Sequence, residues 1–228
     1  MKNETNKDTE NGRQTADDIY NMTINVIADL IENRDHVTSG HIERIQCYIK
    51  ILVEKLKSEG IYSDEIKDWD INMILSSSQL HDVGKINIGE AILNKPGILS
   101  KEEYELVKTH CIKGELIIDY IASRTREDAF LFHAKKFAGS HHEKWNGTGY
   151  PRELHGEEIP LEGRLMAIAD VYDALVSERP YKIPFSHEEA VEIISNDSGK
   201  AFDPKLVNVF LSVADDFRFE LEENGEEE

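Results

Sequence analysis

The sequence has few of the features that would place a protein in an oxidising compartment or a membrane. Its 228 residues include two cysteines, Cys47 and Cys111, whose spacing fits neither a disulfide framework nor a zinc knuckle. The longest apolar run, 165–169, is far shorter than the roughly 18 residues that suggest a membrane span. The N-terminus is polar and lacks the apolar stretch of a signal peptide. We therefore expect a soluble, cytoplasmic protein that does not bind a membrane.

Positive charge is also scarce. The sequence contains 26 lysines and arginines and 45 aspartates and glutamates, which gives a net charge of −19. Such a surface repels DNA and RNA polymers unless a local basic patch opposes the repulsion. A substrate that carries phosphate would therefore need positive charge from bound metals. Part of the acidity belongs to the glutamate-rich C-terminal segment 219–228, which we expect to be a solvated tail.

The remaining pattern is helical and undivided. Apolar residues recur every three or four positions in 17–33 and again in 41–56, whereas alternating strand patterns are scarce. No internal repeat and no long linker separates the chain into parts. The sequence predicts an all-α protein with one domain at 17–218, a disordered N-terminal tail at 1–16 and an acidic C-terminal tail.

Several helix starts and loops can be placed from local signals. Ser100 with Glu103, and Ser186 with Glu189, match the capping box, and Asp203 precedes a proline at a first helical position. Segments 84–97 and 145–160 contain the glycines and prolines of loops. Both predicted loops closely follow residues that could bind a metal.

Those residues are histidines and aspartates distributed among the predicted helices. They form the imidazole and carboxylate set that two adjacent divalent metals would need: His41, His81, Asp82, His110, His141, His142 and Asp170. Neighbours on a regular helix point about 100° apart. His81 and Asp82 can therefore share a site only if the helix ends there, and Gly84 could provide that end. The constellation favours a metal-dependent hydrolase.

Longer motifs resemble the HD superfamily of metal-dependent phosphohydrolases and, within it, the HD-GYP family. The similarity covers about 20–210 in the family's order. It is carried by His41, the run from His81 to Lys85, Asn94 to Gly97, His110 with Gly114, His141 to Pro151, Arg164 to Leu175, and Arg179 to Lys182. The resemblance implies an HD-domain helical bundle with an HD-GYP-type C-terminal extension. It also implies a phosphodiesterase that linearises or fully hydrolyses cyclic di-GMP with two or three metals, often iron or manganese.

The resemblance further implies how the ligands divide. His41, His81, Asp82 and Asp170 would hold one metal, and Asp82, His110, His141 and His142 the second, so that Asp82 bridges. Two metals about 3.5–4 Å apart can share a hydroxide nucleophile and clamp a phosphodiester. Glu143 and Asp173 are candidates for orienting the imidazoles.

One position departs from the family. Some members have a glutamate four residues before the first ligand histidine, where it helps to bind a third metal. Here that position is Val37, which cannot ligate a metal. We therefore predict a two-metal site, although Glu32 or Asp35 could substitute for the missing carboxylate.

Five residues are candidates for substrate binding. By resemblance, Lys85 would face the scissile phosphate and stabilise charge or protonate the leaving oxygen. Arg179 and Lys182 would grip phosphate, with structural ion pairing as the alternative for either residue. Gly149 and Tyr150 could contact a guanine base, or they could instead stiffen their loop.

The expected function is hydrolysis of cyclic di-GMP to the linear dinucleotide pGpG or on to GMP, with Asp82 and Lys85 as catalytic residues. One alternative is an HD-type phosphohydrolase for another cyclic dinucleotide or nucleotide. The other is a catalytically silent signalling domain, although such a domain would be expected to lose ligands, and all seven are present. Regulatory or synthase proteins are candidate partners.

Overall fold

The structure, a computed structural model, describes residues 22–32, 34, 40–125, 129–177 and 183–218. The predicted tails, 1–16 and 219–228, lie outside these residues. The division into one domain and two tails therefore stays a prediction.

The described residues form a succession of helices. The described part of helix α1 is 22–32. The helices that follow are α2 (His41–Glu59), α3 (Ser63–Ile66), α4 (Ile71–Ser78), α5 (Glu90–Leu93), α6 (Lys101–Lys108), α7 (His110–Ala122), α8 (Ala129–Ser140), α9 (Leu161–Val176), α10 (His187–Asn196) and α11 (Pro204–Ser212). Short 3-10 helices lie at Val83–Asn87 and Gly156–Glu158. The described segments contain isolated β-bridges but no strand, which confirms the all-α prediction.

A large hydrophobic cluster joins α2 and α9 to α10, α11 and the helical turn at 214–218. Its centre is aromatic: Tyr48 of α2 stacks on Phe217 with ring centroids 4.5 Å apart, and Tyr172 of α9 meets Tyr48 edge-on at 5.2 Å. Offset and edge-on ring pairs add specific stabilisation to the burial of apolar surface. This cluster fixes the two helices that carry His41 and Asp170.

A second hydrophobic cluster joins α1, α7 and α8. It includes Ile24 and Ile31 of α1, Ile118 of α7, and Phe130 and Ala134 of α8. The buried residues of α1 recur at helical intervals, so the helix packs through one side. This cluster fixes the helices that carry the remaining histidines.

The helix starts predicted from the sequence are confirmed. Ser100 and Ser186 each accept a hydrogen bond from the backbone N–H three residues later, and Glu103 and Glu189 complete the two capping boxes. Asp203 caps α11 through the N–H of Lys205, with Pro204 at the first position.

The loop predicted at 84–97 is only partly correct, because it contains most of the 3-10 helix Val83–Asn87 and all of α5. The good helix formers at 90–93 outweigh the flanking glycine and proline residues. The segment 145–160 is largely irregular, as predicted, apart from Gly156–Glu158. None of the described helices is both long enough and apolar enough to cross a membrane.

Gly84 allows the 3-10 helix to lie directly against α7. A Cβ atom at this position would lie 1.9 Å from the carbonyl oxygen of His110 and 2.6 Å from the backbone nitrogen of Gly114. Both are backbone atoms, so neither can move aside without shifting α7. The contact fixes the residues around Asp82 relative to His110.

Gly84→Ala is expected to lower the free energy of unfolding by about 1–3 kcal/mol, because the added methyl group overpacks this contact. Gly89→Ala is the matched control, since a Cβ there meets nothing within 4 Å, and it should change stability by less than about 0.5 kcal/mol. Urea unfolding of both variants measures the difference. Equal free energies of unfolding for the two variants would contradict the close packing of Gly84 against α7.

A buried carboxylate ties α8 to α9. Glu162, which is 1% exposed, accepts hydrogen bonds from Nδ1 of His133 (2.7 Å) and Nζ of Lys136 (3.0 Å). Burial opposes its charge, but His133 and Lys136 lower the pKa of Glu162 below its ordinary value of 4.5. These two hydrogen bonds hold α8, which leads to His141, against α9, which carries Asp170.

Glu162→Gln is expected to lower the free energy of unfolding at pH 7 by about 1–3 kcal/mol, because charged hydrogen bonds are lost. The folded-state pKa is depressed, so the stabilisation is complete above about pH 4.5 and is lost as pH falls through the folded value. Urea unfolding of both proteins across a pH series should therefore show a shrinking difference. An exposed control, Glu105→Gln, should stay within about 0.5 kcal/mol throughout. A pH-independent difference for Glu162→Gln would contradict the charge assignment.

Candidate metal centre

Most of the seven predicted ligands meet because they lie at helix ends. They are His41, the first residue of α2; His81 and Asp82, in the turn after α4; His110, the first residue of α7; His141 and His142, directly after α8; and Asp170, within α9. Side chains from five helical segments therefore converge in one place.

The helix before His81 ends earlier than expected. Helix α4 finishes at Ser78, so His81 and Asp82 lie in a turn and do not diverge as helical neighbours do. The expectation that Gly84 ends this helix is wrong, because Gly84 lies within the following 3-10 helix. Its contribution is the close approach to α7.

The two oxygens of Asp82 face different histidines. Oδ1 lies 3.2 Å from Nε2 of His110 and 3.6 Å from Nε2 of His141. Oδ2 lies 3.4 Å from Nε2 of His81 and 2.8 Å from Nζ of Lys85. Although burial opposes it, the charges of Lys85 and His81 hold the pKa of Asp82 well below its usual range. An ionised carboxylate thus lies between two sets of imidazoles.

The first set of donors comprises Asp82, His110, His141 and His142, whose ligand atoms all lie within 4.8 Å of one another. Burial lowers the pKa of both His141 and His142, and neighbouring imidazoles lower it further. Neutral imidazole is the form that binds metals. The imidazoles of His141 and His142 are therefore in the protonation state that can bind a cation.

The second set comprises Glu32, His41 and His81, again within 4.8 Å of one another. Asp170 is close by, with Oδ1 3.9 Å from Nε2 of His41. Burial alone would lower the pKa of His81, but Asp82, Asp170 and Glu32 raise it to about 9. Carboxylates therefore surround this histidine, and together they offer the oxygen ligands that a divalent cation would use.

The histidines are oriented through their other ring nitrogen. Nδ1 of His41 lies 2.7 Å from Asp173, and those of His81, His110 and His141 lie 2.8–3.0 Å from backbone carbonyls. Each Nε2 is thereby left to face the centre, an arrangement usual for metal-binding histidines. The prediction that Asp173 orients a histidine agrees with this geometry.

Glu143 has another role. Its carboxylate accepts hydrogen bonds from the backbone N–H groups of Arg152 and Leu154. It therefore holds the 145–160 segment, and the expectation that it orients an imidazole is wrong. The sequence offered no signal for this, because the partners are backbone groups.

Buried Cys111 lies 3.4 Å from His110 through its sulfur. Burial strongly raises the pKa of the thiol. The residue therefore stays protonated and packs as a small apolar side chain.

Lys85 is not a solvated lysine. Its side chain is 16% exposed, and its ammonium forms the 2.8 Å ion pair with Asp82. The structure thus places a fixed positive charge beside the carboxylate whose two oxygens face the two donor sets.

Tyr150 and Gly149 lie next to the histidines. The Tyr150 ring is 4.8 Å from the His142 ring, and the ammonium of Lys108 lies 5.4 Å from the centre of the tyrosine ring. A Cβ at Gly149 would lie 2.3 Å from the backbone nitrogen of Lys144, which favours the loop-stiffening role for this glycine. Arg179 and Lys182 lie outside the described residues, so their substrate contacts stay predictions.

The donor set fits a divalent metal. Nε2 of His81 and Oδ1 of Asp82 are buried without a hydrogen-bond partner, and such groups are costly unless something binds them. Because these atoms belong to different donor sets, a cation in each set would satisfy them.

A family model described as HD domain matches residues 25–206. The chain belongs to the HD domain family. A cyclic di-GMP phosphodiesterase from Vibrio cholerae is 44% identical over 209 residues, which cover 92% of this chain and 42% of that protein. A cyclic di-GMP phosphodiesterase from Thermotoga maritima is 37% identical, with coverages of 91% and 54%. These relatives confirm the resemblance to the HD-GYP family.

Other similar proteins are named for a different cyclic dinucleotide. A 3'3'-cGAMP-specific phosphodiesterase of V. cholerae is 36% identical, with 90% of this chain and 36% of that protein covered. The crystal structure of a cyclic GMP-AMP-specific phosphodiesterase of V. cholerae matches with a TM-score of 0.54 at 23% identity, covering 86% of this chain and 49% of that one. The latter shows a shared fold. The chain spans about half or less of the length of these curated relatives.

Asp82→Asn is expected to weaken Mn²⁺ binding at both donor sets by about 10–100-fold, because it removes the charge of the carboxylate whose oxygens face both sets. Metal content after desalting, measured by mass spectrometry, checks this. Exposed His155 lies apart from both donor sets, and His155→Ala should bind as the wild type does. Wild-type metal content in Asp82→Asn would refute a shared carboxylate.

Proposed function

We propose that this protein is a metal-dependent phosphodiesterase that hydrolyses cyclic di-GMP to the linear dinucleotide pGpG or on to GMP. The observation that carries the proposal is the position of Asp82, whose two oxygens face separate donor sets. Two metals bridged by one carboxylate suit in-line attack on a phosphodiester. The names of the most similar relatives support the choice of substrate.

The centre would hold two divalent ions, with iron or manganese as the favoured metals. His41, His81, Asp82 and Asp170 would bind one, and Asp82, His110, His141 and His142 the other. Imidazole and carboxylate ligands without thiolate suit these metals. When bound, such ions activate water and neutralise the charge that develops on the phosphoryl oxygens.

Asp82 and Lys85 would be the catalytic residues of the chain itself. Asp82 stays ionised beside Lys85 and would hold both halves of the centre together. The ammonium of Lys85, fixed 2.8 Å from Asp82, would stabilise negative charge on the scissile phosphate or donate a proton to the departing ribose oxygen.

Substrate binding would rely on a few local groups, because the chain as a whole carries a charge of −19. Tyr150, beside His142, offers a ring on which a guanine could stack. Gly149, Arg179 and Lys182 complete the proposed set on the resemblance alone. Positive charge close to the metals would have to overcome the repulsion of a substrate with two phosphates.

A second candidate is hydrolysis of 3'3'-cGAMP. It is favoured by one observation, namely that relatives specific for this dinucleotide are 34–36% identical. The metal centre would be the same, and the base contacts would differ. A catalytically silent domain is disfavoured, because the residues of a complete donor set lie together.

The test is turnover by the full chain after anaerobic reconstitution with ferrous or manganous ion. Cyclic di-GMP and 3'3'-cGAMP are supplied in parallel, and products are separated by chromatography. The proposal expects pGpG or GMP from cyclic di-GMP, and no product from His81→Ala/Asp82→Ala. Faster cleavage of 3'3'-cGAMP would favour the second candidate, and no turnover of either by metal-loaded protein would reject both.

Lys85→Ala is expected to lower kcat about 10²–10⁴-fold, because it removes the positive charge that would face the reacting phosphate. Metal content should be retained, which separates this loss from loss of the centre. Lys200→Ala, at a surface position far more exposed than Lys85, is the matched control and should turn over normally. Unchanged kcat in Lys85→Ala would exclude the catalytic assignment.

A further inference from the structure

Helix α1 contributes Glu32, one of the two carboxylates that the sequence offers near the first ligand histidine. Glu32, in the last turn of α1, lies with Oε1 3.4 Å from Nε2 of His41, and its side chain is 12% exposed. Its carboxylate, His41 and His81 all lie within 4.8 Å of one another. Residues that are far apart in the chain thus present three metal-binding atoms to one point.

A second observation indicates that a cation would bind at the point where these three metal-binding atoms meet. Nε2 of fully buried His81 has no hydrogen-bond partner. The opposite nitrogen, Nδ1, lies 3.0 Å from the carbonyl of Ser78, so the ring cannot turn to satisfy Nε2 without losing that contact. A buried nitrogen left unpaired beside a carboxylate is costly unless an ion binds both.

The position of Glu32 is held from both sides. Before it, Ile24, Ala28 and Ile31 are buried, and they attach one side of α1 to the fold. After it, the Arg34 guanidinium donates to the carbonyls of Ile86 and Ile88. Glu32 is therefore fixed at the centre by contacts that do not involve a metal.

We propose that Glu32 is a ligand of the metal bound by His41 and His81, so that metal binding also anchors helix α1 to the domain. The proposal rests on the metal centre of the proposed function. Glu32 lies nine residues before His41, whereas the family position for such a carboxylate is occupied by Val37.

Anchoring follows from the way α1 is attached. The described part of α1 packs against the fold through one side, and such packing supplies most of the stability of a helix in a protein. Its other side, with Met22, Val26 and Leu30, is exposed, so its docking depends on a narrow buried stripe. A metal bond at its last turn would add a strong attachment.

The experiment titrates the metal-free full chain with Mn²⁺ and compares Glu32→Gln with Asp29→Asn. Asp29 is an exposed acid one turn earlier on α1, so it controls for loss of charge on the helix. Calorimetry and mass spectrometry give affinity and metal content. Hydrogen exchange of the amides in 22–32 reports the docking of α1, independently of turnover.

Glu32→Gln should weaken binding of one Mn²⁺ at least about tenfold and remove the Mn²⁺-induced slowing of exchange in 22–32. The wild type and Asp29→Asn should both show that slowing. The thermal midpoint of metal-free Glu32→Gln should equal or exceed that of the wild type, whereas its rise on adding Mn²⁺ should be smaller. A purely structural glutamate would instead lower the metal-free midpoint.

Two results would overturn the inference. The first is Mn²⁺ affinity and content of Glu32→Gln equal to those of the wild type. The second is exchange in 22–32 that does not respond to Mn²⁺ in the wild type. A wild type that binds no Mn²⁺ would reject the proposed function together with this inference, whereas two bound ions without turnover would reject only the proposed function.

Discussion

The sharing of the Asp82 carboxylate between two groups of imidazoles is the constraint around which the site is built. A buried charge of this kind is tolerated only when surrounding groups compensate for it. Lys85 compensates for the charge through an ion pair. The neighbouring histidines offer nitrogen ligands to a cation, which would compensate for the charge further. The packing of the 3-10 helix against α7, made possible by Gly84, holds these groups together.

Each of the two hydrophobic clusters positions a different group of metal-binding side chains. The cluster around Tyr48 and Tyr172 fixes α2 and α9, and with them His41 and Asp170. The cluster of α1, α7 and α8 fixes Glu32, His110 and His141. Metal ligands must be held within a fraction of an ångström, so the centre depends on how these two clusters meet. The Glu162 ion pair links α8 to α9 directly.

Local features of the fold could be predicted from the sequence because they depend on neighbours in the chain. Helical periodicity and the serine caps at 100 and 186 are examples, since a helix start needs only a few adjacent residues. The prediction for 84–97 was less accurate, because the glycine and proline residues there predict a loop, whereas the helix formers between them form α5. The division into domain and tails, and the contacts of Arg179 and Lys182, stay predictions.

The sequence by itself determined the all-α class, the helix caps and the chemical types of the metal donors, since each is recorded in residue identity and short spacing. Only the tertiary structure decided which distant groups meet. It placed Glu32 beside His41, directed Glu143 to the loop backbone, and paired His133 with Glu162. The physical reason is that these contacts depend on how helices pack, and spacing along the chain does not encode the distance between side chains on separate helices.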